Sequence, residues 1–481
     1  MDENTNVFET NADAKDGQTK CPKCGATDIK LNVTTGKLRC NFCRHEFEPE
    51  VMDDMKGGVG DLHGEQVSTG AADISDAADD QTMTLKCTSC GAEVVINLAE
   101  STQARCHWCR NTLSVNSKVP NGAVPDVVLP FKLKKDEAKR LIEEYVGKRK
   151  FYANKQFKAE FTTDNIMGVY FPYMLVDMKG HAVFSGEGEI KRGSYTRKID
   201  DDHSETIYKV DSFSVFRECD VEIDDLAVES SSRRAGAVSN REETNNIINA
   251  ILPFDTENAV KYDSNYLKGY TSEKRDVNKA DLQPIVDSQE KEATKFRIND
   301  SIDEYDRGVR WDNIQINKQG EKWLASYLPV WLYSYVQHPG QSNSMTHYVA
   351  VNARTAETVG SVPMNFGRIW PISILFGIIM AAIALGGEYL LKKGGVISWG
   401  RGQMIGIAAV VGIVCLFIFF YVFYSKYRNT GARHHFEHET KINVSNINGT
   451  DNFIRHFETR DSSMTGANNR SVHVEKLQQK G

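Results

Sequence analysis

Two charge-free runs dominate the hydrophobic pattern of the chain. Ile369 to Gly387 is nineteen residues without a charge, and Gly402 to Ser425 is twenty-four. A bilayer core of about 30 Å requires roughly 20 helical residues. Both runs therefore predict membrane-spanning helices, over 369–391 and 402–425. Trp370, Tyr389, Trp399, Tyr421 and Tyr424 stand near their ends, where aromatic rings anchor at headgroup level. The connection KKGGVISWGRGQ is too short to fold, so the two helices form a hairpin with both flanks on one side.

Upstream the periodicity changes. Ala138, Leu141, Ile142 and Tyr145 form a helical stripe that stops at Gly147. From 150 to 365 the pattern is mixed and mostly β. HAVFSGEGEIKRG and THYVAVNARTAETVGSVP predict strands and hairpins, and NREETNNIINAILPF predicts a helix ended by Pro253. Two stretches, VYFPYMLVDMKG at 169–180 and SYLPVWLYSYVQ at 326–337, share a Tyr-(Phe/Leu)-Pro-x-(Met/Trp)-Leu core. They are either two buried strands of one α+β domain over 118–365 or the mark of a duplicated half-domain. Pro172 and Pro329 are expected at strand entrances, where a missing N–H costs little. Residues 1–20 and 49–84 are polar, lack any period, and predict a disordered start and a flexible acidic linker. The polar tail 426–481, rich in His, Asn and Ser, is expected to be disordered. The fold class expected is multidomain: small β units at the front, a mixed, mostly β α+β domain, and a C-terminal two-helix transmembrane hairpin.

Charge narrows the function. A net charge of −7 and a sequence pI of about 6.0 give the whole chain no attraction for phosphate backbones. The first twenty residues carry no apolar stretch, so no secretory signal peptide is expected there. In a reducing compartment, cysteines bind metal or do redox chemistry in preference to forming disulfides. Eight of the ten cysteines fall in four Cys-x-x-Cys pairs.

Cys21, Cys24, Cys40 and Cys43 form C-x2-C-x15-C-x2-C, and Cys87, Cys90, Cys106 and Cys109 repeat it 66 residues later at every position. Two intervening residues let one tight turn present both thiolates to one ion. The fifteen-residue excursion holds a short hairpin that brings the second turn back, the arrangement of a zinc ribbon. Thr34-Thr35-Gly36 marks that hairpin in the first unit, 21–48; the second unit covers 85–117. Four thiolates close the coordination of each ion, so two structural Zn2+ ions are expected, with no open position for catalysis. A thioredoxin-like pair would need a βαβ pattern, which is absent, and no Cys-x-x-Cys is followed by the His of haem attachment. His45 and His107 are expected at the surface; Cys219 and Cys415 are expected as small buried apolar residues. No P-loop, paired carboxylate or Ser-His-Asp spacing stands out, which favours a non-enzymatic protein. Lys23, Lys30, Lys37, Arg39 and Arg44 outnumber Asp28, Glu46 and Glu48 in the first unit. With Phe42, Phe47 and Trp108 they keep a nucleic-acid-binding reading open, although packing of the miniature cores is the better use of the rings.

Paired cysteine turns followed by PDVVLPFKLKKDEAKRLIEEYVGKR, IMGVYFPYMLVD, NAILPFD, NYLKGY, YLPVWLYSY and a terminal hydrophobic hairpin resemble the bacterial membrane-anchored TFIIB-type zinc-ribbon proteins. The similarity covers roughly 85–425. Members are often labelled as related to the replication-restart helicase, but no helicase motif is present here. The resemblance implies a cytoplasmic zinc-ribbon and β-rich module tethered to the inner face of the cell membrane, with both termini cytoplasmic. It further implies a protein partner of the phage-shock or flotillin-like kind, recruited under envelope stress. The alternative is a membrane-tethered nucleic-acid binder in replication or transcription. Arg44 and Arg110 stand where many ribbons have a second glycine, so the second turn of each unit is expected to be less regular.

Overall fold

The computed structural model describes residues 6–8, 21–24, 26, 29–32, 35, 37–48, 58–68, 70–71, 82–87, 93–97, 105–108, 118–119, 125–198, 204–231, 251–262, 264–267, 269–337, 345–395, 399–429, 440–460 and 476–477. β1 (Asn6–Phe8) precedes a small antiparallel sheet of β2 (Ile29–Leu31), β3 (Leu38–Cys40) and β4 (Glu46–Phe47). Then follow β5 (Gly64–Ser68), β6 (Thr82–Lys86), β7 (Glu93–Asn97), β8 (Lys118–Val119) and β9 (Val127–Val128). Helices α1 (Lys135–Gly147) and α2 (Lys155–Glu160) lead into the long strands β10 (Met167–Lys198) and β11 (Ser204–Glu229). After β12 (Val260–Lys261) and β13 (Thr271–Glu273) come α3 (Lys279–Ile298), β14 (Val309–Gln337), β15 (Met345–Asn352) and β16 (Thr358–Ser361). Two apolar helices, α4 (Phe366–Lys393) and α5 (Arg401–Tyr427), precede β17 (Arg428–Asn429), β18 (Lys441–Arg460) and β19 (Lys476–Leu477).

All strands except β2–β4 join one 16-stranded sheet. At its centre, β10 and β14 pair antiparallel, and the two related stretches meet each other there. Tyr170 lies opposite Pro329, Phe171 opposite Leu328, and Pro172 opposite Tyr327. The two Tyr-x-Pro triplets are thus related by a local two-fold axis. On its outer side β10 pairs with β13 at Val169–Tyr170 and with β11 from Tyr173 onward. β14 pairs outward with β9 at Ser326–Tyr327 and with β15 from Val330 onward. Each proline therefore sits where one outer neighbour gives way to the next, and its missing N–H breaks no ladder. The carbonyls of Pro172 and Pro329 are both used, accepting from Ser230 N and Ala353 N at 3.1 Å each. The prolines expected at strand entrances lie inside long strands, made tolerable by this change of neighbour.

The helical stripe ending at Gly147 forms as expected, with Ala138, Ile142, Tyr145 and Val146 buried. Asn154 caps α2, its side-chain oxygen accepting from Gln156 N at 2.8 Å and Phe157 N at 3.3 Å. Residues 240–250 of the expected helix lie outside the described residues. The 28 and 27 residues of α4 and α5 each measure about 40 Å, long enough to cross a bilayer core. They meet through small residues: a Cβ on Gly377 would lie 2.8 Å from the carbonyl oxygen of Gly412, and the converse distance is also 2.8 Å. Their outward side chains stay exposed, Leu375 by 57% and Ile378 by 62%, which is unlike the core helix of a water-soluble domain.

Two expectations of disorder are corrected. Within 49–84, β5 runs parallel to β14, pairing Gly64–Val67 with Gly320–Trp323. Leu62 is buried against Gly320, where a Cβ would lie 2.6 Å from Leu62 backbone atoms. The buried carboxylate of Asp126 accepts from the Ser68 hydroxyl, from Gly70 N at 2.8 Å and from Ala325 N at 2.8 Å. Burial pushes the Asp126 carboxyl above the usual carboxylate range, against the pull of Ser68. Buried Arg275 donates to the carbonyls of Gly70 and Ala71. Lys279 closes the path with an ion pair to Glu65. In the tail, the 20-residue strand β18 pairs antiparallel along β11, from Arg460 opposite Ile207 to Lys441 opposite Asp224.

Replacing Gly320 by Val is expected to expel residues 59–68 from the sheet, since overpacking here costs ~1–3 kcal/mol. Limited proteolysis would then show faster cleavage within 58–71 while the fragment carrying β10–β16 survives. An unchanged cleavage pattern would contradict the docking of this segment.

Candidate metal centre

The first cysteine unit forms the hairpin its spacing predicts. β2 and β3 pair Ile29 with Cys40 and Leu31 with Leu38, and Asn32 N bonds to Lys37 O at 2.9 Å across the turn. Backbone bonds from Cys21 N to Ala26 O and from Cys40 N to His45 O, both 2.9 Å, fold each turn back beneath its sulfurs. Arg44 takes φ +58°, the left-handed conformation that glycine adopts without strain. The irregularity expected of this turn is therefore a backbone cost at a single residue.

The four Sγ atoms all lie within 4.8 Å of one another. Cys21 and Cys43 are 3.5 Å apart, Cys24 and Cys40 3.6 Å. A tetrahedron with metal–sulfur bonds of about 2.3 Å has edges of about 3.8 Å. Disulfides, at about 2.05 Å, are far shorter. The cluster therefore fits one tetrahedral ion, and Cys43 N points at the Cys40 sulfur from 3.5 Å. Without metal the thiols divide their protons unequally. Burial pushes Cys21 up, but the backbone N–H groups of Lys23 and Cys24 and the thiols of Cys43 and Cys24 bring it down to about 7. At Cys24 the Ala26 N–H pulls down, yet burial and the thiols of Cys43, Cys40 and Cys21 push it up to about 12. A metal ion arriving at neutral pH must displace at least the Cys24 proton.

The surface around this cluster is not strongly basic. Lys37 pairs with Glu48 at 3.0 Å and Arg39 with Glu46 at 3.9 Å. Of the three rings, Phe42 is 82% exposed, while Phe47 is half-buried and Trp108 is buried.

The second cysteine unit is described only in part. Cys87 and Cys106 are buried, whereas Cys90 and Cys109 lie outside the described residues. β6 and β7 form its hairpin, with Leu85 opposite Val94, and β7 continues into the large sheet through β13. Cys87 and Cys106 share a core with Leu85, Val94, Trp108, Phe171 and Leu328. His107, expected at the surface, is 1% exposed. Its Nε2 lies 2.9 Å from the Glu273 carboxylate, which also accepts from Trp108 Nε1 at 2.7 Å. Ser334 donates to the His107 carbonyl at 2.8 Å. This turn is thus latched onto the main sheet by buried hydrogen bonds. His45 is half-buried and stacked on Phe47. Cys219 is buried as expected, and burial pushes its thiol up to about 11; Cys415 is half-buried within α5.

Two carboxylate groups also come together: Asp287, Glu290 and Glu321, and Asp177, Asp224 and Asp225. The ammonium of Lys318 sits in the first, 2.8 Å from both Asp287 and Glu290 and in contact with Glu321. Burial raises the Glu290 carboxyl to about 7 despite that ammonium. This is an ion network holding α3 on β14, with the lysine in the place of a cation. In the second group, Asp177 accepts from Asp225 N at 2.9 Å and fixes a bulge in β11 where Asp225 has φ +54°.

No family model matches the chain. Among curated proteins it is similar to "Uncharacterized protein YdjG" of Bacillus subtilis (strain 168). The two are 24% identical over 279 residues, which is 55% of this chain and 73% of that protein. No solved structure matches.

Cobalt(II) titration of the reduced protein is expected to give a thiolate charge-transfer band that Cys24→Ser diminishes. Because Cys24 keeps its proton to about 12 and Cys21 to about 7, affinity should rise at least about tenfold per pH unit above 7 and more steeply below it. A pH-independent affinity, or a band untouched by Cys24→Ser, would contradict the cluster.

Proposed function

We propose that the chain is a membrane-anchored zinc-ribbon adaptor of the TFIIB-type zinc-ribbon family. In this reading Cys21, Cys24, Cys40 and Cys43 hold one structural zinc ion, and Cys87, Cys90, Cys106 and Cys109 hold a second. The closed thiolate set gives zinc no position for substrate, so the protein is non-enzymatic and the metal fixes shape. Helices α4 and α5 span the cell membrane, and the reducing environment that thiolates need puts both termini in the cytoplasm.

The observation that carries the reading is continuity. One apolar core contains Cys21, Ile29, Leu38 and Cys40 at one end and Ile369 and Tyr427, in the apolar helices, at the other. β17 follows directly on α5 and pairs with β16, so the sheet begins where the helix stops. β10 then extends over 32 residues, roughly 100 Å of strand. Such a blade presents protein surface at a distance from the bilayer. A protein target suits it better than nucleic acid, since Lys37 and Arg39 are already paired and only Phe42 of the three rings is well exposed. The partner kind implied by the resemblance is a phage-shock-type or flotillin-like protein.

Affinity purification from detergent-solubilised membranes is expected to recover a protein partner with the wild type and to lose it with Cys21→Ser/Cys24→Ser. Retention of every partner by that variant would remove the first ribbon as the recruiting element, and recovery of nucleic acid alone would favour the other reading.

A further inference from the structure

We propose that the turn between α1 and α2 together with the first residue of α2, residues 148–155, is a binding surface for the head groups of anionic phospholipids. This inference rests on the reading that α4 and α5 cross the membrane. Nothing in the sequence order places the turn there, because it precedes both helices by more than two hundred positions. The structure ties it to their ends. Asn365 N, beside the first turn of α4, bonds to Tyr152 O at 2.7 Å, and Asn154 N bonds to Pro363 O at 2.8 Å. Arg368 in that first turn donates to Phe151 O at 3.2 Å. From the last turn of α5, the Tyr427 hydroxyl accepts from Tyr152 N at 2.8 Å, and the Lys426 carbonyl accepts from Arg149 Nε at 2.8 Å. The turn is thus held at the level where both apolar helices emerge on the same side.

Its exposed groups match that level. Phe151 is 57% exposed, and the Arg368 guanidinium lies 4.5 Å from its ring centre. Phe366 and Trp370, 50% and 40% exposed, lie in the first turns of α4 on either side of Arg368 in sequence. Arg149 is consumed internally, donating to the Tyr145 carbonyl and stacked on the Tyr145 ring, and Lys148 pairs with Glu144 at 2.6 Å. Lys150, Lys155, Arg368 and Lys426 are exposed and have no carboxylate partner among the described residues. Four exposed cations without a carboxylate partner among the described residues, on this turn, on the first residue of α2 and on the helix ends the turn is bonded to, together with the exposed Phe151 ring complement phosphodiester head groups with an apolar layer beneath. A neutral head group offers the four cations no net charge. An anionic leaflet attracts each basic residue by roughly a fivefold preference.

The test uses the full chain released from mixed phosphatidylcholine and phosphatidylglycerol nanodiscs, with retained lipids counted by native mass spectrometry. The wild type is expected to retain phosphatidylglycerol well above its share of the mixture. Lys150→Glu/Lys155→Glu, at exposed and unpaired positions, should lower that preference by roughly fivefold per residue or more. Retention in proportion to the mixture, or equal selectivity in the variant, would overturn the surface. Competition by soluble glycerol phosphate at equal strength would overturn a lipid surface in favour of a soluble-phosphate site. Alkaline carbonate extraction separates the two levels of the reading. A chain released into the supernatant refutes the membrane anchor and this surface with it, whereas a chain that stays in the pellet without lipid preference refutes the surface alone.

Discussion

The antiparallel ladder between β10 and β14 organises the rest of the molecule. Proline offers no N–H, so two prolines in central strands oblige the outer partner of each strand to change at that point. That obligation is met twice, about one local axis, by β13 giving way to β11 beside Pro172 and by β9 giving way to β15 beside Pro329. The short strand before α1 thereby adds to β14, and the short strand before α3 adds to β10. Each half lends a strand to the other's long strand, so neither half completes its sheet alone. The repeated Tyr-x-Pro core is the sequence trace of this exchange, and it favours a duplicated half-domain over two unrelated strands.

On this frame the remaining parts are fastened by a few desolvated polar contacts. Asp126 accepts from the Ser68 hydroxyl and from Gly70 N and so holds Ser68 and Gly70; Glu273 holds the second cysteine turn through His107 and Trp108. At the solvent-facing side of the sheet, Arg217 grips β18 through the exposed Asp451, donating to its Oδ2 at 3.0 Å. Leaving one member of a buried hydrogen bond unsatisfied costs about 1–3 kcal/mol. The contacts therefore fix where otherwise polar, low-propensity segments run. Zinc, in the adaptor reading, does the same for the miniature sheet of β2–β4, which is too small to be stable on its own apolar area.

The elements that were legible in the sequence are those set by local rules. Cysteine spacing dictates the first cluster because two tight turns and one hairpin lie within 23 residues, Cys21 to Cys43. The apolar helices follow from unbroken hydrophobicity, and α1 from its period. Segments whose structure is supplied from far away were not legible. β5 shows no alternation of its own and is placed by Gly320, whose lack of a side chain admits Leu62. β18 is exposed over most of its length, so no inward face marks it; it is a strand because β11 offers a free ladder. His107 resembles any surface histidine until Glu273, 166 positions later, is brought against it. The cluster around Lys318 is likewise assembled from α3 and β14 and leaves no spacing to read.

In the adaptor reading, a metal-bearing β blade is fixed to one side of the cell membrane by the helical hairpin of α4 and α5. Protease protection in vesicles of defined orientation tests it most directly. With inverted vesicles, loss of the N-terminal cysteine region and of the long strands is expected, with the hairpin left in the membrane. With right-side-out vesicles, all of 1–365 is expected to survive. Digestion of the cysteine region from the outer face would contradict it.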